Sequence, residues 1–235
     1  MQIDVWSDVV CPWCYVGKRR LEQALARFAH RDDVQVVWHS FELDPNAPKE
    51  ATMSLGELLG KKYGMSREKV DAMQASLTSV AALDGLAFAF EKARPENTFD
   101  AHRLLHFAAG LGLQGALKER LLRAYFTEGR RIGDHAELTA LAAEVGLDPA
   151  AVAAVLAAPD AYARDVRADQ DSGRALGIRG VPFFVLDKKY GVSGAQPAEA
   201  LLAAITQAWG ERAPSVAAGE VCEDGVCAVP GETAG

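Results

Sequence analysis

The segment Cys11-Pro12-Trp13-Cys14 places two cysteines directly after a short apolar run and directly before a helical pattern. A thiol attacks a disulfide only as a thiolate, and a free cysteine with a pKa of about 8.5 is largely protonated at neutral pH. At the first turn of a helix, unpaired N–H groups would face the sulfur of Cys11, so we expect its pKa to be lowered. Cys14, one turn further on, could then resolve a mixed disulfide at Cys11. The spacing predicts a catalytic dithiol.

The two intervening residues suit that chemistry. Pro12 fits the start of a helix, because its missing N–H would have no partner there. Trp13 would place a flat apolar side chain beside the sulfur, where it can contact exposed side chains of a protein substrate. We therefore expect both residues to contribute to substrate binding.

Other uses of the two cysteines stay open at this point. They could be a buried structural pair, or half of a zinc site completed by Cys222 and Cys227, although the spacing of that second pair is looser than in most zinc sites. Attachment of a c-type haem in its usual form is excluded, because the residue after Cys14 is Tyr15 and not histidine.

The segment "RGVPFF" contains a second candidate element, Val181-Pro182. A proline that opens a strand cannot donate to the ladder and needs a special position. A cis bond there would expose the backbone of Val181 for pairing with an extended peptide. A trans bond is the more frequent form, since only about 5–6% of X–Pro bonds in folded proteins are cis.

The surrounding elements predict an α/β architecture. Strand patterns at 2–7 and 34–43 flank a helical pattern at 11–30, which is typical of a βαβ unit with parallel strands. A long helical section follows, with capping pairs Ser54/Glu57 and Asp134/Glu137. The pieces "PFFVL" and "YGVSG" then predict a hairpin before a final helix at 197–209.

These elements divide the chain into three parts. Residues 1–53 and 176–210 form a split sheet domain, and residues 54–175 form an inserted helical subdomain. Residues 211–235 are predicted to be a flexible C-terminal tail, which contains Cys222 and Cys227 around an Asp-Gly turn signal. The tail cysteines are a candidate second redox pair, with a floppy tail carrying incidental thiols as the alternative.

Composition limits the partners and the location. The 235 residues carry 25 basic and 32 acidic side chains, a net charge of −7, so no nucleic-acid partner is expected. The N-terminus lacks the charged and apolar regions of a secretory signal, and no apolar stretch is long enough to span a membrane. We therefore expect a cytoplasmic protein, where closely spaced cysteines are usually catalytic or metal-binding.

Several motifs together resemble the DsbA-like thioredoxin-fold proteins, and most closely the FrnE-like branch. They are "CPWCYVG", "FELDPNAP", "ENTFDAHRLLHFA", "FTEGRRIGD", "LAAEVGLD" and "GVPFFVLDKKYGVSGAQP", and the similarity covers about residues 2–209. The resemblance implies a thioredoxin-like fold, with Cys11 as nucleophile, Cys14 as resolving thiol and Pro182 as a cis proline that faces them. The Pro-Trp pair differs from the Pro-His of the strongly oxidising periplasmic members, so their redox potential is not carried over.

The main hypothesis is a thiol–disulfide oxidoreductase or isomerase that acts on protein disulfides. This activity would require no prosthetic cofactor and no metal. Besides its protein substrates, the enzyme would need a thioredoxin- or glutathione-type reductant as a partner. Two alternatives remain. One is a glutathione-dependent isomerase or transferase of the kappa-type and hydroxychromene-carboxylate group, which usually has serine where Cys11 stands. The other is a thiol-based redox or zinc sensor that reports on stress.

Overall fold

A four-stranded mixed sheet forms the centre of the fold. The computed structural model describes residues 1–212, and its strands are β1 (Gln2–Ser7), β2 (Gln35–Ser40), β3 (Phe183–Leu186) and β4 (Tyr190–Ser193). Their order across the sheet is β2-β1-β3-β4. β1 and β2 are parallel, with Gln2 opposite Gln35, whereas β3 pairs antiparallel with both β1 and β4. The predicted thioredoxin-like α/β fold is confirmed.

Most of the described chain is helical. The helices are α1 (Pro12–Ala26), α2 (Leu55–Tyr63), α3 (Arg67–Leu83), α4 (Phe99–Ala109), α5 (Gln114–Arg123), α6 (His135–Ala143), α7 (Pro149–Ala157), α8 (Ala163–Ala175) and α9 (Ala198–Gly210). Helices α2 to α8 lie between β2 and β3 in the chain, where the helical section was predicted. Within residues 1–212, no helix has the length and apolarity needed to cross a membrane.

The helix signals in the sequence correspond to real helix ends. Ser54 and Glu57 form a complete capping box at the start of α2. Asp134 caps α6 by accepting the N–H of Glu137, but the Glu137 carboxylate binds Arg130 and does not return to the cap. Asp148 caps α7 with Pro149 as its first residue. Local signals therefore set these boundaries, and only the second half of the Asp134 box is wrong.

Two predicted elements are shorter than expected. β2 ends at Ser40, because the N–H of Leu43 donates to the Asp8 carboxylate at 2.8 Å and so draws the chain away from the sheet. α1 ends at Ala26, where Arg27 closes the last turn, and a short 3₁₀ turn, Arg31–Asp33, leads into β2. Apolar periodicity continued past both ends and did not reveal either stop.

The core has two parts that meet at α1. One part packs α1 and α9 against the sheet through Ile3, Leu21, Phe184 and Ile205. The other fills the space among the helices between β2 and β3 and takes in Tyr15 from α1. Each large apolar side chain buried there contributes about 1.5–3 kcal/mol. The helix that carries the two cysteines is thus held from both sides.

The tail pair Cys222 and Cys227 lies outside the described residues. The division into residues 1–53 with 176–210, 54–175 and 211–235 stays a prediction.

Candidate active site

Cys11 is the N-cap residue of α1, and Cys14 lies in its first turn. The backbone of Cys11 is extended, and its carbonyl accepts the N–H of Cys14 at 3.0 Å. The thiol of Cys11 donates to the carbonyl oxygen of Val181 at 3.4 Å. The Val181–Pro182 peptide bond is cis, as the resemblance implied. Two segments some 170 residues apart therefore meet at the sulfur of Cys11.

Exposure differs sharply among the four residues of the motif. Cys11 and Cys14 are only 4% and 1% exposed, whereas Trp13 is 43% exposed. Pro12 lies between these extremes. A substrate would therefore have a narrow approach to the sulfur, beside an apolar ring open to solvent.

The two thiols share their acid–base behaviour. When Cys14 is a thiolate, the Cys11 thiol can donate to it instead of to Val181, and this hydrogen bond, burial and the negative charge on Cys14 together raise the pKa of Cys11. Burial alone would raise the pKa of Cys14, but the hydrogen bond from Cys11 and the charge of Lys118 outweigh it, so the pKa of Cys14 is lowered. The pair thus loses its first proton readily and holds the second. The expected lowering applies to the pair and not to Cys11 itself.

Three buried polar side chains that the sequence analysis did not single out lie close behind the dithiol. Asp8, His102 and Lys118 are each 0% exposed. Nε2 of His102 lies 3.2 Å from the Asp8 carboxylate, and the Lys118 ammonium group donates to the carbonyl of Ser7 at 3.2 Å. One signal was available for Lys118, because it shares the helix face of the buried Leu121 and Leu122.

These groups make the surroundings of the dithiol strongly polar. Burial opposes the charge of Asp8, but its bond to His102, the N–H of Leu43 and the charge of Lys118 lower its pKa. Burial lowers the pKa of Lys118 to about 8, against the charges of Cys14, Asp8 and Cys11. At neutral pH this part of the interior therefore holds both a buried anion, Asp8, and a buried cation, Lys118.

Gly17 allows α1 to approach Pro182 closely. A Cβ at this position would lie 2.8 Å from Cγ of Pro182 and 3.3 Å from the ring of Phe184. We expect Gly17→Ala to displace these neighbours, to lower the free energy of unfolding by about 1–3 kcal/mol, and to reduce thiol exchange by at least about tenfold, because small misplacements at a reacting centre are costly.

Gly56→Ala is the matched control for that substitution. Gly56 is in α2, and a Cβ there would meet no atom within 4 Å. Its replacement should leave exchange unchanged and raise stability by up to about 1 kcal/mol. Denaturant unfolding and exchange rates measure both effects, and equal behaviour of the two variants would remove the role given to the contact with Pro182.

No metal site is apparent in the described residues. Within residues 1–212, no three His, Cys, Asp or Glu side chains are grouped so that they could hold a metal ion. His102 and His106 bind different acidic partners, Asp8 and Asp169, and tie α4 to the rest of the fold. The zinc alternative would require the tail cysteines, which lie outside this range.

Comparison with known proteins assigns the family. Residues 2–206 match the model of the DSBA-like thioredoxin domain. The chain belongs to this family. Among solved structures, it is 50% identical to the probable DsbA oxidoreductase SCO1869 from Streptomyces coelicolor, with a TM-score of 0.88 over 98% of this chain and 100% of the other. Membership of the DSBA-like family supports thiol–disulfide oxidoreductase chemistry.

Two further relatives extend the comparison. The uncharacterized protein YwbO of Bacillus subtilis (strain 168) is 33% identical over 157 residues, which are 66% of this chain and 72% of that protein. The cytosolic disulfide reductase DsbM from Pseudomonas aeruginosa, solved with GSH, is 20% identical with a TM-score of 0.62, over 88% of this chain and 98% of DsbM. The likeness to DsbM shows the shared fold.

Proposed function

We propose that this DSBA-like protein is a thiol–disulfide oxidoreductase and isomerase that acts on protein disulfides through Cys11 and Cys14. The Cys11 thiolate attacks one sulfur of a substrate disulfide, forms a mixed disulfide and expels the other sulfur as a thiolate. Cys14 then attacks Cys11, which forms the Cys11–Cys14 disulfide and releases the second substrate thiol. Two electrons pass from the dithiol to the substrate in this direction, and the reverse sequence oxidises a substrate dithiol.

The contact of Cys11 with Val181 carries this proposal. The carbonyl oxygen of Val181 is 3.4 Å from the Cys11 sulfur. A substrate sulfur bonded to Cys11 must therefore lie beside the segment that contains Val181 and Pro182. Backbone groups recognise any extended peptide without regard to its sequence. The exposed ring of Trp13, two residues after Cys11, offers an apolar contact to the substrate. These features favour a polypeptide substrate.

The reductant and the location form part of the same proposal. We place the protein in the cytoplasm, where thiols are kept reduced and a dithiol of this kind needs a thiol donor. A thioredoxin- or glutathione-type reductant would return the Cys11–Cys14 disulfide to the dithiol. The fold shared with DsbM, which was solved with GSH, makes glutathione the first reductant to test.

Cys222 and Cys227 are proposed as a second redox pair that exchanges electrons with the first. Two cysteines separated by the four residues Glu-Asp-Gly-Val can form a small disulfide ring, because Asp-Gly is a turn signal. In this scheme the tail receives electrons from the reductant and passes them to Cys11 and Cys14.

Recovery of activity by a scrambled, disulfide-bonded enzyme tests the proposal. The native protein should restore activity in the presence of glutathione, and Cys11→Ser should restore none above background. Replacing both tail cysteines by serine should slow multiple turnover but not the first turnover. If native protein and Cys11→Ser are equally inert, protein disulfides are not the substrate, and glutathione conjugates become the class to test.

A further inference from the structure

An open cleft of about 450 Å³ lies where α8 meets the loop after β2 and the start of α4. Its lining comes from residues 42–49, 97–99 and 167–170, and the reaction scheme above uses none of them. Pockets that bind small ligands usually measure about 300–1,000 Å³. The cleft is therefore large enough to hold a small ligand or one side chain of a larger molecule.

Hydrogen bonds fix the segments that form this cleft. The N–H of Asn97 donates to the carbonyl of Pro48 at 2.9 Å, and Oδ1 of Asn97 accepts the N–H of Phe99 at 2.9 Å. Across the cleft, the side-chain amide of Gln170 donates to the Glu42 carboxylate at 2.8 Å and so joins α8 to the loop after β2. A ligand would thus meet preformed walls and would pay little to order them.

Arg167 supplies a positive charge to the cleft. Its guanidinium group lies 5.8 Å from the centre of the Phe99 ring, which it faces. In the part of the chain that the structure describes, no carboxylate is paired with Arg167, and Asp171, one turn further along α8, binds Arg174 instead. A guanidinium group presents a rigid fork of N–H donors that matches a carboxylate. Arg167 can therefore receive a carboxylate from a ligand.

The other residues that line the cleft limit what the ligand can be. Lys49 adds a second positive charge at the rim, where its side chain is 79% exposed and 3.9 Å from a carboxylate of α4. Glu42 adds one negative charge, so the cleft carries one net positive charge at neutral pH. This balance favours a single carboxylate over a doubly charged phosphate. Pro45 and Ala47 add apolar surface that suits methylene groups next to the carboxylate.

The cleft lies at the same end of the sheet as Cys11. The N–H of Leu43, the neighbour of Glu42, donates to the Asp8 carboxylate at 2.8 Å, and the carbonyl of Asp8 accepts the N–H of Cys11 at 3.4 Å. Because Asp8 makes both bonds, the backbone nitrogens of Leu43 and Cys11 are at most about 12 Å apart. An extended peptide advances by about 3.3 Å per residue. A polypeptide bound at Cys11 can thus reach the cleft with a residue about three to five positions from its cysteine.

We propose that this cleft is a substrate subsite that binds the carboxylate of an acidic residue near the reacting cysteine, with Arg167 as the group that pairs with it. The subsite makes the protein select disulfides by the charge of their neighbouring sequence, which contact with backbone groups alone does not do. This inference rests on the proposed function, because it assumes a polypeptide substrate.

Matched peptide disulfides test the subsite. Each peptide carries one glutamate at a single position, two to five residues before or after its cysteine, and its partner carries glutamine there. We expect the native protein to reduce one or more of the glutamate peptides with a KM about fivefold lower than for the glutamine partner, and with the same kcat. Higher ionic strength should remove the difference. Equal KM values at every position would overturn the proposal.

Substitutions on α8 assign the preference to one side chain. Arg167→Gln should abolish the preference for glutamate, and Arg167→Glu should reverse it, so that a lysine peptide has the lowest KM. Reversal is an effect that a loss of folding does not produce. Arg164→Gln is the matched control, because Arg164 is also exposed on α8 but does not line the cleft. An equal loss of preference in Arg164→Gln and Arg167→Gln would overturn the assignment to the cleft.

Binding without chemistry separates this inference from the proposed function. In a protein with serine at Cys11, Cys14, Cys222 and Cys227, the S-alkylated glutamate peptide should bind about fivefold more tightly than its glutamine partner and shift the nuclear magnetic resonance signals of the Arg167 side chain. That preference without turnover of any peptide disulfide would contradict the proposed function alone. Turnover without the preference would contradict the subsite alone. Equal binding of N-acetylglutamate amide would assign the cleft to a small free acid and overturn its role in substrate selection.

Discussion

Cys14→Ser is expected to leave the attack on disulfides intact and to block release. Without the second thiol, the mixed disulfide at Cys11 can be resolved only by an external thiol. Well-oriented groups in one molecule react with effective molarities of about 10⁵–10⁸ M, far above any thiol concentration in solution. We therefore expect release to slow by at least about 10³-fold. Mass spectrometry of the protein after mixing with a disulfide-bonded substrate should show one substrate chain on Cys11.

Further substitutions at the four cysteines provide the controls for this trapped mixed disulfide. Cys11→Ser together with Cys14→Ser should accumulate no adduct, because the attacking sulfur is gone. Serine at Cys222 and Cys227 in the Cys14→Ser background tests whether the tail can resolve the adduct. Release that persists at the native rate in this triple variant would contradict the role given to Cys14. Release that persists only when the tail cysteines are present would assign the resolving thiol to the tail.

The parts of the site that are local in sequence were predictable. Cys11 and Cys14 are three residues apart at a strand-to-helix junction, and that spacing alone places both sulfurs at the start of α1. The parallel pairing of β1 with β2 and the β3–β4 hairpin followed from strand patterns and short connections. The approach of Val181 to Cys11 followed only from the family resemblance, since nothing in the sequence between the two residues indicates it.

The buried charges behind the dithiol were not predictable. Asp8 follows β1, whereas His102 and Lys118 come from α4 and α5 about 100 residues later, and aspartate and lysine are residue types that are mostly exposed. Their burial depends on how α4 and α5 pack against the end of β1, which a pattern of apolar residues does not specify. A charged residue on an apolar helix face, as Lys118 is beside Leu121 and Leu122, was the one local indication.

Helix α5 connects the helical section to the dithiol in two ways. Lys118 donates to the carbonyl of Ser7 at the end of β1, while the next residue, Glu119, binds Lys18 and Arg19 and accepts the hydroxyl of Tyr15 at 2.7 Å. The same helix therefore supplies a charge to the site and holds the helix that carries both cysteines. In this protein the helices between β2 and β3 help to build the reactive centre and do not simply cover the sheet.

A second cluster of polar side chains, which is partly buried, joins α8 to the edge of the sheet. The Asp169 carboxylate lies 2.6 Å from Nδ1 of His39, accepts the N–H of Ser40 at 2.7 Å and lies 3.0 Å from Nε2 of His106. Trp6 stacks on His39 and donates to the backbone carbonyl of Asp169 at 2.9 Å. Asp169 therefore satisfies part of the exposed edge of β2, which would otherwise present unpaired backbone groups.

Asp169→Asn is expected to lower the free energy of unfolding by about 2 kcal/mol, because the neutral amide removes the charge that faces His39 and leaves hydrogen-bond donors of a partly buried cluster poorly satisfied. Asp171→Asn is the control on the same helix. That carboxylate is 68% exposed and pairs with Arg174, so its loss should change stability by no more than about 0.5 kcal/mol. Urea denaturation of the three proteins measures both values, and similar losses in the two variants would contradict the importance given to Asp169.

The pH dependence of that difference follows from the two titrating partners. Burial alone would lower the pKa of His39, but its bonds to Asp169 and Asp4 raise that pKa above its ordinary value of 6.5. The contribution of His39 to the free energy of unfolding is therefore complete below pH 6.5 and is lost as the pH rises through the folded pKa. Burial alone would raise the pKa of Asp169, but its bonds to His106 and His39 lower that pKa below its ordinary value of 3.8. The contribution of Asp169 to the free energy of unfolding is therefore complete above pH 3.8 and is lost as the pH falls through the folded pKa. The difference in stability between the native protein and Asp169→Asn should therefore be largest between about pH 4 and 6.5. A difference that does not vary with pH would show that the cluster stabilises the protein by packing and not by charge.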